Sequence, residues 1–230
     1  MMNKTELSPY FWSKVTGASI VIMAILAIIV EFGIRATLII PGDATTTASN
    51  ILANEGLFRF SIYAYLALLV LDVLASIGFY VVLKPVDKNI ALFAAFMRLA
   101  YSVVRAVSQI SMFIGLLLLG ETNQESLAMV FFDTDPYAFS ISLVFFFSIH
   151  LFLLGYLVMK SGYVPKIFGI LLYLASLAYL LDNSLKILLV NYADYEAIIL
   201  TIIFLPALLG ELAFSLWLLL RAKRDTIPET

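Results

Sequence analysis

The sequence predicts an all-α protein, a polytopic bundle of six transmembrane helices with both termini cytoplasmic. Three observations carry this. Hydrophobic residues make up 63% of the 230-residue chain and charged residues only 13%, about half the charged share of an average soluble domain. The apolar residues fall into long runs, and a helix needs roughly 20 mostly apolar residues to cross about 30 Å of hydrocarbon. The loops between the runs alternate in the sign of their charge, as the positive-inside rule expects.

The first span lies near 12–40. Its run GASIVIMAILAIIV, 17–30, follows Lys4 and Lys14 as a secretory signal would, but no small-x-small cleavage site follows and the helical pattern continues through Glu31 and Arg35. It therefore reads as a span. PGD at 41–43 ends it. In the outer segment 43–56, Asp43 and the threonines can cap a short helix and Ile51 and Leu52 give it apolar contacts, so it reads as interfacial, with a solvated loop as the alternative. Spans two and three, near 57–83 and 90–120, are separated by KPVDKN at 84–89. The remaining three lie near 137–160, 165–190 and 197–221, with turn chemistry in DTDP at 133–136, SGYVP at 161–165 and NYADY at 191–195. Spans one and three exceed the required length and should tilt or project from the bilayer. Residues 1–230 form a single transmembrane domain on this reading.

One set of loops and ends carries Lys4, Lys14, Lys84, Lys88, Lys160, Lys166, Arg221, Lys223 and Arg224. The other carries Asp43, Glu55, Glu121, Glu125, Asp133, Asp135, Asp194 and Glu196, with Arg59 as its one basic residue. The basic set should face the cytoplasm. Tyr10, Phe11, Trp12 and Trp217 then fall at the inner interface, and Phe131, Phe132, Tyr137, Tyr192 and Tyr195 at the outer one, as an aromatic belt would.

Eight ionisable residues besides His150 remain at membrane depth: Glu31, Arg35, Asp72, Arg98, Arg105, Asp182, Lys186 and Glu211. Four are acidic and four basic. A charge at the bilayer centre costs about 2.5–3.5 kcal/mol on insertion scales, so such residues face the bundle interior and pair. Glu31 with Arg35 and Asp182 with Lys186 stand four apart and can pair along their own helices. Arg98 and Arg105 have no acid on their helix, and Asp72 and Glu211 are left over, so spans two, three and six should share a seam. Arg98, Tyr101, Ser102, Arg105 and Gln109 form one stripe, Tyr65, Asp72 and Ser76 another, and Tyr179 joins Asp182 and Lys186. His150 has the apolar neighbours Leu143, Phe146, Phe147 and Leu154, so its partner must come from another span.

With one histidine and no cysteine, a His-rich zinc site and all thiolate chemistry are excluded. A carboxylate metal site built from Asp72, Asp182, Glu211 and His150 has no ligand spacing behind it, and no basic tract suggests nucleic acid. No phosphate loop or hydrolase motif fixes a cofactor, which stays unknown. Pro206 should kink span six five residues before Glu211. The two halves, with Asp72 and Asp182 in their middle helices, have the inverted topology of some transporters.

Three functions are consistent with these residues. In the first, a charge-balanced cavity binds, and moves or senses, a small polar or amphipathic molecule. Arg98 and Arg105 contact an anionic group there beside Tyr101 and Gln109, while Asp72, Asp182 and Glu211 balance charge or carry protons. In the second, His150 and a carboxylate act as acid and base on a lipid-like substrate. In the third, the charges only fasten helices in a structural or accessory subunit.

PGDATTTASNILANEGLFRFS, LKPVDKNIALFAAFMRL, LLGYLVMKSGYVPKIFGILL and GELAFSLWLL resemble the membrane family labelled domain of unknown function 4386. The resemblance covers nearly the whole chain and includes Glu55, Arg59, Asp72, Arg98 and Glu211. It implies a multi-pass protein of a bacterial cytoplasmic membrane, with the lipid bilayer as partner, and assigns no residue a role.

Overall fold

The computed structural model describes residues 8–192 and 205–222. Seven helices occur among them: α1 (Pro9–Leu38), α2 (Ala44–Ala53), α3 (Glu55–Leu83), α4 (Lys88–Leu118), α5 (Glu125–Ser161), α6 (Lys166–Leu188) and α7 (Leu205–Leu220), with no strand. Helices α1, α3, α4, α5 and α6 are long and apolar enough to cross a membrane, and α7 holds a shorter apolar stretch, Gly210–Leu220. The start of the sixth expected span, with Asp194, Tyr195 and Glu196, lies outside the described residues, as do Lys4, Lys223 and Arg224. Pro206 falls in the first turn of α7, so the expected kink lies outside them too.

Local chemistry sets the ends. Ser8 caps α1 by accepting from the Phe11 amide, with Pro9 in the first turn, where its missing N–H costs nothing. Gly42, at φ +78°, makes the turn into α2. Asp43 caps α2 by accepting from the Thr46 amide at 2.9 Å and hydroxyl at 2.7 Å. These bonds favour the ionised form, so the Asp43 carboxyl titrates below its ordinary 3.8. The cap is fully present above that value and is lost as pH falls through the lowered one. Asp87 caps α4, and Gly162, at φ +74°, closes α5 in the left-handed conformation.

The membrane-length helices run antiparallel in sequence order. Lys14 at the start of α1 donates to the carbonyls of Leu218, Leu219 and Ala222 at the end of α7. Tyr163, after α5, donates to the Val82 carbonyl at the end of α3. One end of the bundle is therefore basic, with Lys84, Lys88, Lys160, Lys166 and Arg221, and the other acidic, with Glu55, Glu121 and Glu125. Apolar burial gives little net attraction between helices in lipid, so small residues let backbones approach. Gly17 packs on the backbone at Ser215 and Leu219, and Gly155 on Gly169.

The core has two apolar parts with a polar layer between them. At the basic end Phe79, Leu151, Leu154, Leu172, Phe214 and Leu218 pack together, and at the acidic end Ile51, Phe58, Met112 and Phe132 do so. Along α3 and α4, Asp72, Arg98 and Arg105 lie between these clusters. The outer faces are apolar: Phe32, Val70, Val103 and Ile110 are exposed.

Two expectations need correction. DTDP is not a turn: α5 begins at Glu125 and runs through Pro136, because Ala128, Met129 and Phe132 bury against α2, α3 and α4 and outweigh the one missing helical hydrogen bond. Phe132 is accordingly no interfacial anchor but is 2% exposed, edge-on to Phe58 with ring centroids 5.5 Å apart. Helices α1 and α5 also each contain a π turn, Ile29–Arg35 and Leu143–Phe147.

Candidate functional site

The polar layer consists of two arginine centres on one face of α4, two helical turns apart. The Arg98 centre lies toward the basic end. Arg98 is 1% exposed. Its Nη2 meets Asp72 Oδ1 of α3 at 2.6 Å, and its Nη1 donates to Glu211 Oε1 of α7. The Ser102 hydroxyl donates to the other Asp72 oxygen. The guanidinium also lies over the rings of Phe79 and Phe147, at 5.5 and 5.4 Å. Spans two, three and six do meet here, and His150 of α5 joins them. Its Nδ1 lies 2.8 Å from the Ala94 carbonyl and must donate to it, which leaves Nε2 to accept from Arg98 Nη1 at 3.1 Å. Both ring nitrogens are thus engaged in a residue with no exposed surface. That environment holds the imidazole in place.

The Arg105 centre lies toward the acidic end. Arg105 Nη1 donates to Asp135 Oδ1 of α5 at 3.0 Å, and its guanidinium stands over Tyr65 and Phe139. The partner expected from span two or six is therefore an acid of the fourth membrane-length helix, which the turn-like DTDP sequence concealed. The signal that could have found it is the helical spacing of Ala128, Met129 and Phe132 before it. Arg35 reaches the same aspartate, with Nη1 at 3.5 Å from Asp135 Oδ2 and from Glu31 Oε1. Its Nη2 donates to Gln109 Oε1, and its plane lies 4.2 Å over the Tyr65 ring. The Tyr65 hydroxyl donates to Glu31. Glu31 and Arg35 are thus not a self-contained pair. The π turn between them widens the helix, so residues four apart no longer stack as in an α-helix. Arg35 Nε and Nη1 make no hydrogen bond among the described residues.

Tyr101 joins the two centres, its ring tilted against Phe147 with centroids 4.7 Å apart and within electrostatic reach of Arg105, Asp72, Arg98 and Glu211. Asp182 and Lys186 stand apart from both. No ion pair joins them among the described residues: Asp182 accepts from the Tyr192 hydroxyl at 2.6 Å, and Lys186 lies over the Tyr192 ring. Aromatic company outcompetes a pairing four residues along the helix. Asp72 and Asp182 therefore have unlike surroundings, which the inverted-repeat reading did not anticipate.

The arginine centres are enclosed by side chains, but a groove of about 360 Å³ opens on the outside of the bundle. Arg59, Ile62, Tyr63 and Leu66 of α3 and Ala106, Gln109, Ile110 and Phe113 of α4 line it. Tyr63 and Ile110, 72% and 60% exposed, mark its open side, and Arg59, paired with Glu55 at 2.7 Å, marks its acidic end. Gln109 belongs both to this wall and to the Arg105 centre. Among the described residues no group of three histidines or acids is placed to hold a metal ion.

An uncharacterised protein of the archaeon Archaeoglobus fulgidus is 29% identical over 170 residues, covering 72% of this chain and 85% of that protein. That relative is archaeal, so the likeness does not assign the chain to a bacterial membrane. No solved structure matches the chain. The model of a family described as a domain of unknown function, DUF4386, matches residues 15–222, and with its apolar membrane-length helices and buried charges the chain belongs to that family.

Proposed function

We propose that this multi-pass membrane protein binds an amphipathic molecule drawn from the bilayer, and moves or senses it. The apolar part lies in the α3–α4 groove and an uncharged hydrogen-bond acceptor reaches Gln109 and Arg35. The observation that carries this is the double role of Gln109, whose side chain walls the groove and accepts from Arg35. The groove volume, about 360 Å³, falls within the usual range for small-molecule sites. Its apolar, bilayer-facing walls favour an acyl or similar chain. The Arg105 centre contains two guanidiniums and two carboxylates. A carbonyl, ester or hydroxyl leaves that balance intact, whereas an anionic head would unbalance it, and Arg35 has donors to offer. The membrane is a cytoplasmic one on this reading, with the basic end inside.

Native mass spectrometry of protein extracted in mild detergent tests the proposal. Wild-type protein should retain a bound amphiphile that Ala106→Trp, with an indole filling the groove, loses while staying folded. Equal retention by both would contradict it.

The Arg98 centre supports a second, structural reading for its own part of the molecule. Both terminal nitrogens of its guanidinium meet protein groups from three other helices, so it fastens α3, α4, α5 and α7, while its Nε makes no hydrogen bond among the described residues.

A further inference from the structure

We propose that the Arg98 centre holds one exchangeable proton, carried by Glu211. The argument is a count of charge in an enclosed space. Arg98 faces two carboxylates, Asp72 and Glu211. His150 adds no charge, because an imidazole that donates through Nδ1 to Ala94 and accepts through Nε2 from Arg98 is neutral. Among the described residues, the charged and titratable groups in reach of Glu211 are Asp72 from α3, Arg98 and Tyr101 from α4 and Tyr179 from α6, and His150 from α5 meets the same Arg98 nitrogen as Glu211. From α1, Lys14 is committed at the basic end to the last carbonyls of α7. No lysine or arginine occurs between Lys186 and Arg221, so residues 193–204 bring no second cation either.

With every acid ionised, the centre carries one surplus negative charge. A buried charge without a partner is neutralised rather than tolerated. A metal cation does not suit the position, because the two acids flank a guanidinium whose charge repels it. A proton from water does, and it forms one O–H bond at a carboxylate oxygen and displaces nothing.

Geometry assigns the carrier. Asp72 is held at both oxygens, by Arg98 and by the Ser102 hydroxyl, and its side chain is 1% exposed. Glu211 meets Arg98 through Oε1 and its side chain keeps 15% exposure. It is the acid of this pair with the more exposed side chain.

Infrared spectroscopy of the full chain in lipid nanodiscs, at neutral pH in potassium buffer, tests this. A carbonyl stretch of a protonated carboxyl is expected, absent from Glu211→Gln and unchanged in Asp182→Asn. Uniform carbon-13 labelling of glutamate in the wild-type protein should shift that band, and Glu31→Gln, at the other glutamate placed at membrane depth, should leave it in place, so the carrier is identified even if Glu211→Gln fails to fold. No such band in folded wild-type protein would overturn the proposal. So would a band that ignores the glutamate label, or one that sodium in place of potassium removes.

Discussion

Arg98 and Arg105 share a face of α4 but meet different acids, and the difference sets the cost of losing each. Removing one partner of a buried pair leaves the other charged and unpaired, at about 3–5 kcal/mol. Arg98→Gln strands the Asp72 carboxylate and removes the donor to Glu211, and should cost at least that much in chemical unfolding in detergent, whereas Arg35→Gln breaks ion contacts of 3.5 Å and the hydrogen bond to Gln109 and should cost less. A double-mutant cycle isolates the pairing at Arg105. Arg105→Gln with Asp135→Asn should show a coupling of about 0.5–3 kcal/mol, while Arg105→Gln with Asp182→Asn should add to within about 0.5 kcal/mol. The arginines, Asp72 and Glu211 were legible in the sequence because each interrupts an apolar run. Asp135 was hidden, since the next residue is Pro136 and the four residues DTDP read as a turn. The partners of His150 were hidden too, because they come from a helix fifty residues away in the chain and one of them is a backbone carbonyl.

At the scale of the element, the membrane-length helices were legible from length and hydropathy, and several of their ends from the turn chemistry of PGD, KPVDKN and SGYVP, though not the start of α5 at Glu125. What the pattern does not carry is where backbones touch and where a helix widens. A Cβ on Gly17 would lie 2.5 Å from the Ser215 carbonyl oxygen, and backbone cannot swing aside as a side chain can. Gly17→Ala should therefore destabilise the packing of α1 on α7 by about 1–3 kcal/mol. Gly33→Ala, in the π turn with open space around it, should change thermal stability little. No residue type marks a π turn in advance. Both occur beside arginine centres, Ile29–Arg35 supplying Glu31 and Arg35, and Leu143–Phe147 supplying the ring over Arg98. Such turns concentrate at functional sites.

At the scale of the whole molecule, the chain is polar in its middle layer and apolar on its surface, the reverse of a soluble domain. The absence of cysteine makes its orientation testable with single introduced thiols. Ser49 and Lys166 are exposed near opposite ends of the bundle. In intact cells, Ser49→Cys should react with a membrane-impermeant maleimide and Lys166→Cys should react only after permeabilisation; the opposite pattern would invert the assigned orientation. The central claim is that the groove between α3 and α4 is the binding site, and crosslinking tests it most directly. A photoactivatable analogue of the retained amphiphile, activated in nanodiscs and mapped by peptide mass spectrometry, should label residues 59–66 and 106–113, with labelling suppressed by excess unmodified amphiphile and by Ala106→Trp. Labelling spread over the exposed faces of α1, α5 and α6, indifferent to competitor and to that substitution, would contradict the account.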